Sequence, residues 1–288
     1  MEIDLITVPY DAAQRATRMG LGPLQLAAGL PARLNSRGHD VRLQEVESGL
    51  EFATDAGVAF DLARGIGSRV AGALRDGRLP IVLAGNCMTS VGTVAGLGGR
   101  PPAVVWFDAH ADLNTPDTTR SGFLDGTSLA TLTGRCWHGM LAGVPGFSPI
   151  ADSHVVLVGA RDLDPPEEAL LAEGAIRSVP VAVGGGIDLE SLEHAVAAAT
   201  DGADGVYLHF DLDVIDPEQA RANGYAALNG VRIEAAVAAV ARVRSTARLR
   251  AMALTAYDPS FDAQGTVARA ASSLLLAALE GDIEPLSA

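Results

Sequence analysis

Short apolar runs alternate with longer helical patterns along almost all of the 288 residues, and this alternation restricts the fold more than any other feature. Several runs are apolar throughout, which is typical of strands that are buried on both faces. Strand–helix–strand repeats of this kind form mainly parallel sheets covered by helices. We predict eight strands, with the bounds 3–9, 41–46, 80–84, 103–108, 155–159, 175–179, 205–211 and 249–256.

Helical patterns separate these runs. Seven helices are predicted, with the bounds 22–36, 55–75, 89–96, 166–173, 189–200, 232–245 and 267–279. No tandem repeat, charge run or low-complexity linker divides the chain, so a single domain over residues 1–288 is expected.

Charge and composition exclude several classes of protein. The chain has 21 basic and 35 acidic residues, a net charge of -14, which argues against a nucleic-acid partner because such binding depends on cationic side chains. All the basic residues are arginine, so Schiff-base lysine chemistry and a lysine-containing phosphate loop are excluded. No apolar run approaches the ~20 residues that span a bilayer, and no basic segment opens the chain, so we expect a cytoplasmic protein without a membrane partner.

Two predicted strands end in alternating acidic residues. One strand runs into Asp108, His110 and Asp112, and a later strand ends in Asp211 and Asp213. Residues two apart in an extended chain point to one side, and ligands bind beyond the carboxyl ends of parallel strands. Carboxylates brought together there would repel one another unless a cation lay between them.

These donors favour a site with two ions. Oxygen-rich ligation with an imidazole suits Mn²⁺ or a similar divalent ion, and five ligands exceed what one ion with an open position usually takes. Two ions ~3.5–4 Å apart would share them. The alternative is that Asp108 and Asp211 are turn or cap residues; the presence of two separate pairs at strand ends favours the metal site.

The same motifs resemble those of the arginase–agmatinase (ureohydrolase) family, which carries Asp-Ala-His-x-Asp and Ser-Phe-Asp-x-Asp-x-x-Asp-Pro. Residues 108–112 read Asp-Ala-His-Ala-Asp, and residues 209–217 read His-Phe-Asp-Leu-Asp-Val-Ile-Asp-Pro. Residues 20–30 and 159–165 also resemble family segments, so the likeness runs nearly end to end. It implies a three-layer αβα fold with an eight-stranded parallel sheet, a homo-oligomer, and two metal ions whose bridging hydroxide attacks a guanidine-like C–N bond of a small substrate.

The resemblance also implies roles for individual residues. Asp108 and Asp211 would bridge the two ions, and His110 and Asp213 would complete one of them. Asp112 would bind the other ion and belong to the catalytic residues. Beside the ligands, Asp216 would orient them or their loop, and His209, which replaces the family serine, would hydrogen-bond a ligand carboxylate or fill core space.

Cysteine replaces the family's first ligand. That ligand is the histidine of a Gly-Gly-Asp-His-like run, whereas residues 83–87 here read Leu-Ala-Gly-Asn-Cys. A Cys87 thiolate would favour Zn²⁺ or Fe²⁺ over Mn²⁺, and a protonated Cys87 would bind the first ion weakly. A cysteine here also resembles a subgroup of hydroxyarginine-type amidinohydrolases.

Two further departures concern the chemistry of the substrate. Asp125 stands where arginases have a proton-shuttling histidine, and could act so only with a pKa well above ~3.9; a turn residue is the alternative. Ala256 stands where the family has the glutamate that pairs the guanidinium. An unpaired buried guanidinium is strongly disfavoured, so we expect a neutral or less basic group such as hydroxyguanidine or amidine to bind better.

An amino-acid-like substrate fits other positions. Asn114 and Ser121 resemble the loop that holds an α-carboxylate, and Asp164 matches a residue near the α-amino group. Each is also an ordinary turn former.

Two other functions stay open. A degenerate relative could keep the fold for a binding or assembly role. A thiol hydrolase would use Cys87 after a strand and Gly85, but the second glycine of a nucleophile elbow is replaced by Thr89.

Overall fold

The computed structural model describes residues 1–281, and its centre is an eight-stranded sheet in which every pairing is parallel, as predicted. The last seven residues of the predicted single domain, 282–288, lie outside the described residues. In the order of the sheet, the strands are β4 (Asp40–Glu45), β1 (Glu2–Val8), β5 (Leu79–Ala84), β10 (Leu249–Thr255), β9 (Val206–Asp211), β6 (Ala103–Phe107), β7 (Val155–Val158) and β8 (Arg177–Val179). A small antiparallel hairpin, β2 (Tyr10–Asp11) and β3 (Gln14–Arg15), was not predicted because two-residue strands show no periodicity.

Helices cover both faces of the sheet, which gives the three αβα layers. One face carries α1 (Gly22–Ser36), α7 (Leu189–Thr200), α8 (Ile233–Thr246) and α9 (Thr266–Glu280). The other carries α2 (Asp55–Arg75), α3 (Thr89–Leu97), α4 (Ser128–Leu132) and α6 (Pro165–Ala172), with the short α5 (His138–Leu141) beside α2 and α3. The two shortest helices, α4 and α5, were not predicted, since one turn of helix leaves little periodic signal. No helix within residues 1–281 is both long and apolar enough to cross a bilayer.

The apolar runs are explained by burial on both faces of each strand. In β6, Val105 and Phe107 face the core under α7, α8 and α9, whereas Val104 and Trp106 face the core under α2 and α3. Central strands between two helical layers have no solvent-facing side, so most of their positions are apolar, whereas the edge strand β4 is partly exposed.

The topology brings four strand ends together at one edge, here called the carboxyl edge. The neighbours β5, β10, β9 and β6 are followed there by Cys87, Ala256, the Asp211–Asp213 turn and Asp108. Gly85 is required at this edge because a Cβ atom there would collide with the backbone of Tyr10 in the hairpin. The opposite edge, where the strands begin, is the amino edge.

Candidate metal centre

A cavity of about 310 Å³ opens at the carboxyl edge, and all six predicted metal ligands line it. These are Cys87, Asp108, His110, Asp112, Asp211 and Asp213. Every one except His110 is buried. Residues separated by more than 120 positions in the sequence therefore converge as the strand-end argument predicted.

The possible ligand atoms form two overlapping groups. Cys87, Asp108 and Asp112 can place one atom each within 4.8 Å of the other two, and Asp108, His110 and Asp213 can do the same. Asp108 is common to both groups. Two ion positions that share one carboxylate are therefore available side by side.

Asp211 joins these groups through Cys87. Its Oδ2 lies 3.0 Å from the Cys87 Sγ, and its Oδ1 accepts a hydrogen bond of 2.8 Å from the backbone N–H of Asp213. The tight turn after β9 thereby sets Asp211 against one group and Asp213 against the other.

Burial without a neighbouring positive charge raises the pKa values of the acidic groups in the cluster. Burial, followed by the charges of neighbouring carboxylates, raises the pKa of Asp108, Asp112 and Asp211. Burial also raises the pKa of the Cys87 thiol, as does the charge of Asp211. Without a cation, burial and mutual repulsion therefore favour the protonated forms of these groups.

His110 responds in the opposite direction. Burial lowers its pKa, but Asp213 and Asp108 outweigh that effect and raise it to about 10. Its Nδ1 lies 3.2 Å from the Asp108 Oδ1 and 3.5 Å from the Asp213 Oδ2. A metal ligand must be neutral imidazole, so a bound ion would displace this proton.

Asp112 gives the clearest sign that the donors fit a cation. Its Oδ2 is buried and has no hydrogen-bond partner in the described part of the chain. Its backbone has a φ of 54°, a left-handed conformation that costs a non-glycine residue about 1 kcal/mol. Within residues 1–281, no arginine forms a salt bridge with this aspartate or with Asp108, Asp211 or Asp213. The carboxylate, imidazole and thiol donors therefore fit divalent ions, which would supply the missing positive charge.

Two side chains that sequence reasoning missed hold the ligand carboxylates. The Trp106 indole Nε1–H donates a 3.0 Å hydrogen bond to the Asp108 Oδ2. The Asn223 amide lies 3.4 Å from the Asp213 Oδ2 and donates to the Ala256 carbonyl oxygen at 2.8 Å. Trp106 precedes Asp108 by two residues on a strand, so the sequence could have indicated that the two side chains lie on one side. Asn223 lies in a loop, where no pattern indicated its position.

Arg161 stabilises the loop behind Asp213. Its guanidinium donates to the carbonyl oxygens of Gly159, Asp213, Ala227 and Leu228 at 2.7–3.2 Å. The sequence pointed to the segment 159–165 only through its family resemblance. The structure shows that this arginine binds backbone rather than carboxylates.

Asp125 lies in the same cavity and is buried. It accepts hydrogen bonds from the Met88 backbone N–H at 3.2 Å and the Asn86 amide at 2.6 Å. Burial raises its pKa to about 7 despite these bonds. It also begins a short 3₁₀ turn, so both sequence-based interpretations, turn residue and proton carrier, match its position.

The three predicted substrate-binding residues line the outer part of the cavity. The Asn114 amide donates to the Asp164 Oδ2 at 3.0 Å, and Asp164 also caps α6. Ser121 is exposed, and its hydroxyl accepts a hydrogen bond from the Phe123 backbone N–H at 3.1 Å. Phe123 stacks on Tyr225 across the mouth, with ring centroids 5.1 Å apart.

His209 and Asp216 lie outside the cavity lining. His209 is fully buried, stacks on Trp106 and bonds the Tyr207 and Thr255 hydroxyls rather than a ligand carboxylate; burial lowers its pKa to about 3. Asp216 accepts hydrogen bonds from the Glu218 and Gly230 backbone N–H groups. It therefore orients the loop rather than the ligands.

The contacts of Cys87 do not resemble those of a nucleophile. Its sulfur contacts Asp211 and Thr255, and within residues 1–281 no histidine hydrogen-bonds it. A catalytic thiol requires a basic partner and a lowered pKa, whereas burial raises the pKa of this one. The thiol-hydrolase alternative therefore lacks geometric support.

Comparisons with known proteins agree with this arrangement. The sequence model of the Arginase family matches residues 1–280. The arginase of Bacillus caldovelox is 27% identical over 288 residues, which covers 95% of this chain and 96% of that enzyme. The arginase of Eremothecium gossypii is 29% identical over 280 residues, covering 90% and 70% of the two chains. The crystal structure of the arginase from Bacillus cereus superposes with a TM-score of 0.87 at 26% identity, covering 99% of this chain and 100% of that chain. With its full-length match and this sheet topology, the chain belongs to the arginase family of metal-dependent ureohydrolases.

Proposed function

We propose that this protein uses two divalent ions to hydrolyse a linear C–N bond in a hydroxyguanidine-, amidine- or guanidine-like group of an amino-acid-like substrate, and that residues 1–288 form one domain with this role. The observation that carries the proposal is the pair of ligand groups that share Asp108, together with the orphaned oxygen of Asp112. Mn²⁺ is the expected ion, with Zn²⁺ or Fe²⁺ favoured if Cys87 binds as thiolate.

The ligands divide between the ions. Cys87, Asp108, Asp112 and Asp211 would hold one, and Asp108, His110, Asp211 and Asp213 the other. When bound, the ions would supply Lewis acidity and make water a nucleophile near neutral pH.

The outer cavity supports recognition of an amino acid. Asp164 offers a carboxylate to an α-ammonium group, while Asn114 and Ser121 offer an amide and a hydroxyl to an α-carboxylate. The reacting group would then point inward toward Asp108. Stacked Phe123 and Tyr225 would limit the entry of water from the mouth.

Ala256 determines the preferred charge of the reacting group. It lines the cavity with a methyl group at the end of β10. A protonated guanidinium bound there would lack a carboxylate partner, and a buried unpaired charge is strongly disfavoured. A hydroxyguanidine is much less basic and can bind in its neutral form, so it loses less than a guanidine or an amidine, both of which carry the charge near neutral pH.

Asp125 would hold the proton that the leaving amine requires. A carboxyl group with a pKa of about 7 is protonated in a substantial fraction of molecules at neutral pH. Its burial beside Met88 and Asn86 keeps the group in one orientation.

A substrate panel tests the proposal. Metal-loaded protein is assayed with amino acids that carry hydroxyguanidine, amidine, ureido or guanidine groups, and with agmatine. The hydroxyguanidine compound should be cleaved fastest, and A256E should raise the turnover of arginine relative to it. Fastest cleavage of arginine or agmatine by the natural chain would contradict the assigned substrate class.

The degenerate-relative alternative makes a different prediction about metal content. Elemental analysis of the purified chain should find close to two ions per chain if the hydrolase proposal is correct. Fewer than one ion per chain after manganese loading, with no turnover across the panel, would favour a binding or assembly role. A homo-oligomer and a cytoplasmic location remain predictions.

A further inference from the structure

A continuous chain of buried polar groups lies behind Cys87. The Tyr207 hydroxyl lies 2.9 Å from the His209 Nδ1, the His209 Nε2 lies 3.3 Å from the Thr255 Oγ1, and that oxygen lies 3.3 Å from the Cys87 Sγ. Tyr207, His209 and Thr255 have no exposed surface, and Cys87 is 2% exposed. None of the first three lines the cavity, so direct contact with substrate does not explain them.

When Cys87 binds a metal, the protons that each group carries indicate which group donates in each hydrogen bond of this series. Only the thiolate is a metal ligand, so the sulfur can only accept a hydrogen bond. Thr255 has one hydroxyl proton, and when it donates that proton to the sulfur its oxygen accepts from the His209 Nε2–H. Neutral His209 has one N–H, so its Nδ1 accepts from the Tyr207 hydroxyl. Every donor in the chain then points toward Cys87.

One acceptor competes for the Thr255 proton. The Phe210 carbonyl oxygen lies 3.4 Å from the Thr255 Oγ1, close to the distance of the sulfur. Hydrogen bonds to a charged acceptor are roughly twice as strong as those between neutral groups. The thiolate is therefore the preferred acceptor once it forms.

The same chain also contacts the rest of the metal centre. The His209 ring stacks on Trp106, with centroids 3.6 Å apart and planes 9° apart, and Trp106 donates to Asp108. Stacking fixes the plane of the imidazole and so aims its Nε2 at Thr255. Hydrogen bonds to a ligating sulfur draw charge from it and tune the metal that it binds.

We propose that Thr255, oriented by His209 and Tyr207, is a positioning residue that donates a hydrogen bond to a metal-bound Cys87 thiolate and moderates its electron donation to the ion. This inference rests on the proposed metal function. It also relates the cysteine to the histidine that the family has at this position. With a hydroxyl donor behind it, the thiolate donates less electron density to the ion, and so behaves more like a neutral imidazole.

Cobalt substitution provides a test that does not depend on turnover. Full-length protein is stripped with a chelator and titrated with Co²⁺ while the near-ultraviolet thiolate-to-cobalt charge-transfer band is recorded. The natural chain should show this band, and C87S should lack it. In T255V the band should move to longer wavelength, because the sulfur holds its electrons less tightly. Cobalt affinity should fall about 10-fold, because the hydroxyl no longer stabilises the thiolate relative to the protonated thiol. T255S should restore both.

Thr131 offers a matched control. It is buried, and its hydroxyl lies 3.4 Å from the sulfur of Cys136; neither residue lines the cavity. T131V removes the same group from a comparable Thr–Cys contact, so it should leave the band and the affinity unchanged.

The outcomes separate this inference from the proposed function. A T255V protein with the band and affinity of the natural chain, or a T131V protein that shifts equally, overturns the role of Thr255 and leaves the metal centre standing. Two bound cobalt ions without a charge-transfer band show that Cys87 does not ligate, which also overturns the inference alone. Less than one cobalt ion per chain removes the metal function and the inference together.

Discussion

Buried carboxylates at the two edges of the sheet differ in whether other side chains pair with them. Near the amino edge, Asp4 is fully buried and accepts hydrogen bonds from Arg42, Arg78 and Gln44 at 2.5–2.9 Å. At the carboxyl edge, buried Asp112 has an oxygen with no partner among the described residues.

The contrast distinguishes a structural charge from a functional one. A buried carboxylate that the chain pairs with its own arginines is neutralised by folding itself. A cluster that the chain leaves unpaired must either take up protons or bind a cation from solution. Function is therefore expected at the edge where the electrostatics of the protein alone are incomplete.

The largest effect is expected from D112N at the carboxyl edge. Loss of one metal ligand should lower turnover by about 1000-fold, equivalent to roughly 4 kcal/mol of transition-state stabilisation. In the metal-free protein the same change should raise stability at neutral pH, because it removes a carboxyl group whose charged form is disfavoured by burial and by neighbouring carboxylates, and asparagine tolerates a left-handed φ. Steady-state kinetics and chelator-treated thermal unfolding would measure the two effects. A D112N protein that is less stable than the natural chain without metal would contradict the proposed repulsion.

D4N at the amino edge should have the opposite effects: lower stability and unchanged turnover. Removing the charge weakens the hold on Arg42 and Arg78, which keep Asp76 and Asp40 as partners. Because the arginines reach solvent, the loss should be about 2 kcal/mol, less than the cost of breaking a fully buried pair. The loss should be equal with and without metal, and turnover per folded molecule should not change. Urea unfolding and an active-site titration check this, and a loss that depends on metal would show that the two edges are coupled.

Metal removal should make stability depend on pH. Burial raises the folded-state pKa of Asp125 to about 7, and it also raises the pKa values of Asp108, Asp112 and Asp211. Between about pH 4 and pH 7 the folded chain keeps protons that the unfolded chain has released, so stability falls as pH rises through this window. We expect a loss of about 2 kcal/mol, less than the full shift implies because water enters the cavity.

Denaturant titrations at several pH values, with chelator and with excess manganese, measure this dependence. The metal-loaded protein should show a smaller decline, because the ions compensate the charges of Asp108, Asp112 and Asp211 while Asp125 keeps its raised pKa. D125N in chelator should have a smaller decline than the natural chain. The prediction would be contradicted if the free energy of unfolding depended on pH in the same way in the loaded and the metal-free protein.

E280Q should have the smallest effect. Glu280, at the end of α9, accepts hydrogen bonds from Arg37, and with His39 this contact lowers its pKa to about 2. A lowered pKa contributes stability above the ordinary value of about 4.5 and loses it as pH falls toward 2. For this partly exposed pair the loss in E280Q at pH 7 should be under about 1 kcal/mol. Urea unfolding should show a larger difference between E280Q and the natural chain at pH 7 than at pH 3.

The ligands were predictable from the sequence for a local reason. The i, i+2 spacing in a strand places Asp108 and His110, or Asp211 and Asp213, on one side, and the apolar run before each pair marks a strand end. The residues behind the ligands had no such mark. Thr255 is an ordinary strand residue until the sheet pairs it with Asp211.

By itself, the sequence determined the strands, the main helices and the acidic strand ends, because burial on two faces and backbone periodicity are local properties that a short segment displays. Only the tertiary structure decided which strand lies beside which. That order set Cys87 against Asp211 and Thr255, left Asp112 without a partner and gave Asp4 its arginines. Whether a buried charge is satisfied depends on side chains that are distant in sequence, so the distinction between a structural and a functional carboxylate exists only after folding.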